Sequence, residues 1–155
     1  MNPAPVSKSF MERARHFITR SWRDQWLFIE AYILLGMARL RINTITFHVI
    51  VKSLGTSGFE TPAEETAEHL AEARRIAWAV QTASCYTPWK SNCFPQAIAA
   101  KTLLRRKDIP STLYLGAAFK ARTELEAHAW LRCGPLYVTG GAGHRQFGTV
   151  GIFGQ

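Results

Sequence analysis

The chain has 155 residues, with 19 Lys and Arg against 11 Asp and Glu, for a formal net charge of +8. A hydrophobic fraction of 47% beside 19% charged residues supplies enough apolar surface for a packed core and excludes a disordered chain, which combines few apolar residues with many charges. The longest stretches without a formal charge, residues 76–89 and 133–144, fall short of the ~20 apolar residues that a membrane-spanning helix needs, so no transmembrane segment is expected.

Residues 1–6 read as a loose N-terminus. Ser9, with Glu12 three residues on, has capping-box spacing, and Phe10, Ala14, Phe17 and Ile18 recur at helical intervals, predicting a first helix. A second is predicted from Ser21, with Asp24 in its first turn and Trp26, Ile29, Ile33, Leu34, Met37 and Leu40 as the stripe that docks on the core. Glu30 interrupts this apolar run and no small-residue cleavage site follows it, so it does not read as a secretory signal, and the chain is expected in the cytoplasm. From Ile42 to Leu54 the apolar residues fit both strand alternation and helical spacing, and the helical neighbourhood selects a helix. Gly55-Thr56-Ser57-Gly58 then marks the boundary between an N-terminal helical unit, residues 1–60, and a core, residues 61–155.

Thr61-Pro62-Ala63-Glu64 combines an N-cap, a Pro at the first helical position and a Glu at the third, predicting a helix from Pro62 to Ser84. After Thr87-Pro88-Trp89 a further helix is predicted from Ser91 or Asn92, with Phe94, Ala97, Ile98, Leu103 and Leu104 inward. Pro95 fits there because the first turn has no use for its missing N–H. Beyond Asp108-Ile109-Pro110 the short apolar runs Thr112 to Phe119, Ala127 to Cys133, Leu136 to Val138 and Phe147 to Phe153 predict antiparallel strands, with a hairpin at Gly134-Pro135. Helices first and strands after make the fold class α+β.

The basic excess is +4 over residues 1–60, −2 over 61–89 and +6 over 90–155, so it is not packed into a tail. Its one dense run, Arg105-Arg106-Lys107, ends a predicted helix, where cations meet the last carbonyls and the dipole. The aromatic residues are not interleaved with Lys and Arg, and no nucleic acid partner is expected.

Three cysteines, Cys85, Cys93 and Cys133, are odd in number and too sparse for a disulfide framework, so free thiols are expected. Cys93 falls in the first turn of a predicted helix, where free N–H groups and the dipole stabilise a thiolate, and Lys90 adds positive charge. It is a candidate nucleophile or a small buried hydrophobe. His128 shares a strand face with Trp130 and Arg132, while Ala127, Ala129, Leu131 and Cys133 make a face of small residues suited to a helix. A helix-start cysteine followed by a strand histidine is the arrangement in which imidazole takes the thiol proton. As zinc ligands, Cys85, Cys93, His128 and Cys133 lack the close pairs of structural sites, so no metal or cofactor is expected. Gly140-Gly141-Ala142-Gly143 is not followed by a phosphate-binding lysine, and His16, His48 and His69 have no ligand-spaced partners.

The block Thr87-Pro88-Trp89-Lys90-Ser91-Asn92-Cys93-Phe94-Pro95-Gln96-Ala97, followed by Leu103-Leu104-Arg105-Arg106, Ile109-Pro110, Gly116 and Ala127-His128-Ala129-Trp130-Leu131, resembles the transglutaminase-like cysteine peptidases of lasso-peptide biosynthesis. The resemblance runs in order and spacing from about Ala63 to the C-terminus. It implies a transglutaminase-like (papain-like) core in which Cys93 attacks and His128 moves the proton. The activity it implies is removal of the leader from a ribosomally made precursor, after which a separate ATP-dependent lasso cyclase closes the macrolactam. Some members carry a fused leader-recognition domain. Residues 1–60 read as helices without strand pairs, so a separate leader-recognition protein is expected as a partner, beside the precursor leader peptide and the cyclase.

Within this reading the N–H groups at the helix start, with Asn92, would hold the oxyanion, and Trp89 and Trp130 would line the substrate groove. Such enzymes usually have an Asp after the histidine strand. This chain has only Asp24 and Asp108, and no Asp or Glu after Glu126. Thr139 stands at about the matching position to accept a hydrogen bond from the ring, as does a backbone carbonyl, with Gln146 more distant. A neutral partner stabilises imidazolium less than a carboxylate does. Acyl transfer to an amine, an inactive scaffold that delivers precursor to the cyclase, and a basic nucleic-acid-binding module stand as alternatives.

Overall fold

The computed structural model describes residues 20–120 and 124–155. The predicted helix from Ser9 to Ile18, with His16, lies outside the described residues. The first described helix, α1 (Trp22–Thr44), begins where expected: the Ser21 hydroxyl accepts the Asp24 N–H at 3.3 Å. Asp24 pairs with Arg75 at 2.9 Å. Partial burial opposes ionisation of its carboxyl, but Arg75 and Ser21 hold it below the usual range.

The buried face of α1 keeps Leu34 from the predicted stripe and is otherwise not the predicted one. Leu27, Ala31, Leu34, Leu35 and Ala38 face the core, whereas Trp26, Ile29, Ile33, Met37 and Leu40 face outward with Trp22. Interaxial distance depends on the side chains at the contact, and Ala31 and Ala38 permit an approach that the bulky stripe would hold off.

Ile45 is extended and ends α1, and a short helix α2 (Phe47–Lys52) follows, so the helical reading of Ile42 to Leu54 holds on either side of a break at Ile45 and Thr46 and ends at Lys52. Thr56–Ser57 form a strand, β1, too short to leave an alternation signal. Buried residues of α1 and α2 belong to the same hydrophobic cluster as those of the sheet.

Helix α3 (Ala67–Ser84) ends as predicted but starts five residues late, capped by Thr66, whose hydroxyl accepts the His69 N–H at 3.2 Å. Tertiary bonds claim the expected cap. Thr61 is buried, its N–H donating to the Thr112 hydroxyl at 2.9 Å, and the Thr61 and Pro62 carbonyls accept from Arg132 at 2.7 and 3.0 Å. Helix α4 (Cys93–Arg105) starts at the predicted point, with Asn92 as N-cap.

Strands β2 (Thr112–Lys120), β3 (Glu124–Cys133), β4 (Leu136–Thr139) and β5 (Gly148–Gly154) lie within two residues of the predicted strand limits, except that β3 begins three residues earlier than expected. With β1 they form an antiparallel sheet in the order β1-β5-β2-β3-β4, and the class is α+β. Helices α3 and α4 pack on the β3–β4 side, and α1 lies across both helices. The alternation of β3 divides as read: Ala129, Leu131 and Cys133 enter the core beneath α4, and Trp130 and Arg132 stand on the other face with Tyr114 and Glu60.

The cysteines are free, as expected. Burial pushes the Cys133 thiol up to about 11, which makes it inert near neutrality. Lys101 is buried, and its Nζ donates to the Ser111 and Phe153 carbonyls at 3.1 and 2.9 Å, tying the end of β5 to the approach to β2. Burial, with the nearby Arg105 charge, lowers its pKa to about 7. A neutral amine still donates both bonds. The unfolded chain binds this proton up to about pH 10.5 and the folded chain only to about pH 7, so stability rises with pH above 7. Cys133 works in the opposite direction above about pH 9. The unfolding free energy from denaturant melts between pH 7 and 9 should therefore rise, by up to ~1.4 kcal/mol per pH unit, and Lys101→Met should abolish the rise.

Candidate active site

The loop before α4 is pinned by its own polar side chains. The Thr87 hydroxyl lies 3.1 Å from the Ser84 carbonyl, 3.1 Å from the Trp89 carbonyl and 2.8 Å from the Ser91 hydroxyl, and the Gln96 amide donates back to the Ser91 carbonyl at 2.7 Å. Thr87, Ser91 and Gln96 thus fix the approach to Cys93, the first helical residue of α4. Pro95 has no N–H and the Gln96 N–H returns to Asn92 at 3.2 Å. The N–H groups of Cys93 and Phe94 are left without intrahelical acceptors, as at any helix start. The thiol is half-buried and Asn92 is exposed, with no side-chain cap bond.

His128 is held from the opposite quarter. Its Nε2 lies 2.8 Å from the Gly140 carbonyl, and a carbonyl only accepts, so in the neutral ring Nε2 carries the hydrogen and Nδ1 keeps its lone pair. Phe147 and Trp130 stack on the ring at centroid distances of 4.9 and 5.9 Å, and Tyr114 stacks on Trp130 at 5.4 Å. Two glycines make this row possible. A Cβ on Gly116, paired with His128 across the sheet, would come within 2.6 Å of the Trp130 ring. Gly140 has φ of +67°, and a Cβ there would sit 2.2 Å from the Ala129 carbonyl.

Strands β2 and β3 are antiparallel, with Thr112 opposite Arg132 and Gly116 opposite His128. The Lys101 bonds fix the C-terminal half of α4 at the sheet end where β2 begins. Cys93 lies eight residues earlier, ~12 Å from Lys101 along the helix axis, and His128 lies four residues before Arg132, ~13 Å from the same sheet end along β3. In the His128 half β3 has no partner on the β4 side, because Leu131↔Thr139 is the last pair before Gly140. No hydrogen bond joins the thiol to the ring; the ring is turned to Gly140, on the face away from α4.

The other predicted positions separate. Thr139 is buried, but its hydroxyl has no partner, and the acceptor for the ring is the carbonyl of the next residue. Gln146 is exposed in the short 3-10 turn His144–Gln146. Trp89 packs on α1, against Gly36 and 5.4 Å from the Tyr32 ring, and does not meet Trp130. Trp130 does line a cleft of about 680 Å³, with Glu60, Tyr114, Arg132, Tyr137 and His144. Sequence reading missed His144, whose Nδ1 lies 2.6 Å from the Gly141 carbonyl, so that successive carbonyls hold both rings. Burial and the Glu60 carboxylate keep the Tyr114 phenol above its ordinary pKa. Among the described residues no three His, Cys, Asp or Glu side chains are grouped to hold a metal.

No curated protein and no solved structure matches the chain. A comparison with known protein families matches residues 33–151, most of the chain and both halves of the candidate site. The helix-start cysteine, the strand histidine and this match together place the chain in the transglutaminase-like superfamily.

Proposed function

We propose that the protein is a thiol peptidase that removes the leader from a lasso-peptide precursor. The observations that support the chemistry are a half-buried cysteine at a helix start and a strand histidine whose Nε2 is tied to a carbonyl, leaving Nδ1 as a proton acceptor. Cys93 Sγ attacks the scissile carbonyl as its proton passes to His128. The N–H groups of Cys93 and Phe94 receive the oxyanion. His128 then gives the proton to the leaving amine, and water hydrolyses the thioester, freeing the leader carboxylate and the enzyme thiol. In this reading the His128 ring leaves its Gly140 bond and turns to the α4 side of β3 when substrate binds. Superfamily membership supports a thiol-based hydrolase or acyltransferase, and the Thr87 to Ala97 block supports the leader-peptidase assignment.

The partners in this reading are the precursor, a separate leader-recognition protein and the lasso cyclase. Incubation with precursor and the recognition protein, followed by peptide mass, tests it. Free leader and core peptide, summing to the precursor plus one water, are expected. A leader joined to an added amine would instead identify an acyltransferase, and an unchanged precursor would contradict both activities.

A further inference from the structure

The outward face of α1 is apolar along its whole length. Trp22, Trp26, Ile29, Ile33, Met37 and Leu40 are between 43% and 69% exposed. At 100° per residue they fall within one narrow stripe, straight along the helix for ~27 Å. Taking ~100 Å² for each half-exposed large side chain, the stripe presents on the order of 600 Å² of apolar surface, at the top of the range for the largest patch on a monomer. The opposite face of α1 already packs on α3 and α4, so the helix is amphipathic in neither usual sense. A helix apolar on both sides has a second apolar environment to meet.

The charges beside the stripe indicate which one. Arg23 and Arg41 lie along one flank and Arg39 along the other, and among the described residues none of the three has a carboxylate partner. Glu30, on the flank of Arg23 and Arg41, is paired with Arg106, and Glu72, which lines a cleft with Trp22, Arg23 and Trp26, is paired with Arg75 and Lys107. A second copy of the chain is a poor occupant. In an antiparallel pair of stripes with Arg23 level with Arg41 of the other copy, the two Glu30 would also lie within ~6 Å of one another along the axis. The stripe is also a convex ridge, not a groove that receives a partner helix. An apolar ridge carrying two tryptophans, edged by free arginines on a chain of net charge +8, matches a helix that lies in the plane of an anionic lipid interface. No described helix is long and apolar enough to cross the membrane.

We infer that α1 docks the protein on an anionic lipid surface, its Trp22 to Leu40 stripe inserted at the headgroup boundary and Arg23, Arg39 and Arg41 on the phosphates. The test is co-sedimentation of the full chain with vesicles of phosphatidylcholine, with and without phosphatidylglycerol. Wild type is expected in the pellet only with the anionic lipid, with binding that weakens as salt is raised. Ile33→Asp with Met37→Asp, at exposed positions, should keep the fold by circular dichroism and lower vesicle binding at least ~tenfold. Replacing Arg23, Arg39 and Arg41 by Gln should lower it with the stripe intact. Wild type that stays in the supernatant, or an Asp variant that sediments like wild type, overturns the inference. Self-association in light scattering that the Asp variant abolishes also overturns it, by identifying a second copy as the occupant.

Discussion

Replacing Cys93 by Ala is expected to abolish precursor cleavage, a loss of at least ~10³-fold, without unfolding the chain. The side chain is half-buried at a helix start and its backbone N–H remains in place. His128→Ala should cost ~10² to 10⁴-fold, the usual worth of a general base. The ring is part of a stacked row with Phe147 and Trp130, so its removal also perturbs packing. His128→Gln, which fills more of the space, separates the two effects: if packing alone mattered, it would restore most of the rate. Peptide mass over time with wild type and the three variants checks this.

The second large effect concerns the acid that the chain lacks. Thr139 is buried with an unpartnered hydroxyl, directly before the Gly140 carbonyl that holds the His128 ring. Thr139 pairs with Leu131 on the α4 side of β3, so Thr139→Asp should raise kcat by roughly tenfold or more once the His128 ring has turned to that side to meet Cys93, since exchanging a carboxylate for a neutral group behind a catalytic histidine is known to lower rates by several orders. A carboxylate at so buried a position will also lower the melting temperature, because part of its desolvation goes uncompensated. Thr139→Val is the control. It removes an orphan hydroxyl, so stability should hold or increase by ~1 kcal/mol, and activity should stay at the wild-type level if the Gly140 carbonyl alone orients the ring. A fall in activity with Thr139→Val would assign the orienting role to the hydroxyl.

What could be read from the residues divides along physical lines. The start of α4 was legible because Asn92 and Pro95 act through local backbone geometry, and the strands were legible because Gly, Pro and charge punctuate them. The buried face of α1 was not, since helical spacing describes both of its apolar faces and the choice depends on how closely Ala31 and Ala38 approach their neighbours. The start of α3 was misplaced because Arg132, some seventy residues on, takes the Thr61 and Pro62 carbonyls. The burial of Lys101 leaves no signature in the sequence, because its acceptors are the backbone carbonyls of Ser111 and Phe153. At the site, Cys93 and His128 were named by residue type, but the group that holds the ring is a backbone oxygen, which carries no side-chain signature. Trp89 was attractive for its place in the motif, yet its indole stabilises the contact with α1.

The central claim is that the leader passes through a thioester on Cys93, and acid-quenched mass spectrometry of wild-type protein mixed with precursor and recognition protein tests it directly. The account predicts a leader acyl group on the peptide that contains Cys93, removed by hydroxylamine, with core peptide released in matching amount. Core peptide released at the wild-type rate by Cys93→Ala, with no acylated cysteine in the wild-type chain, would contradict it.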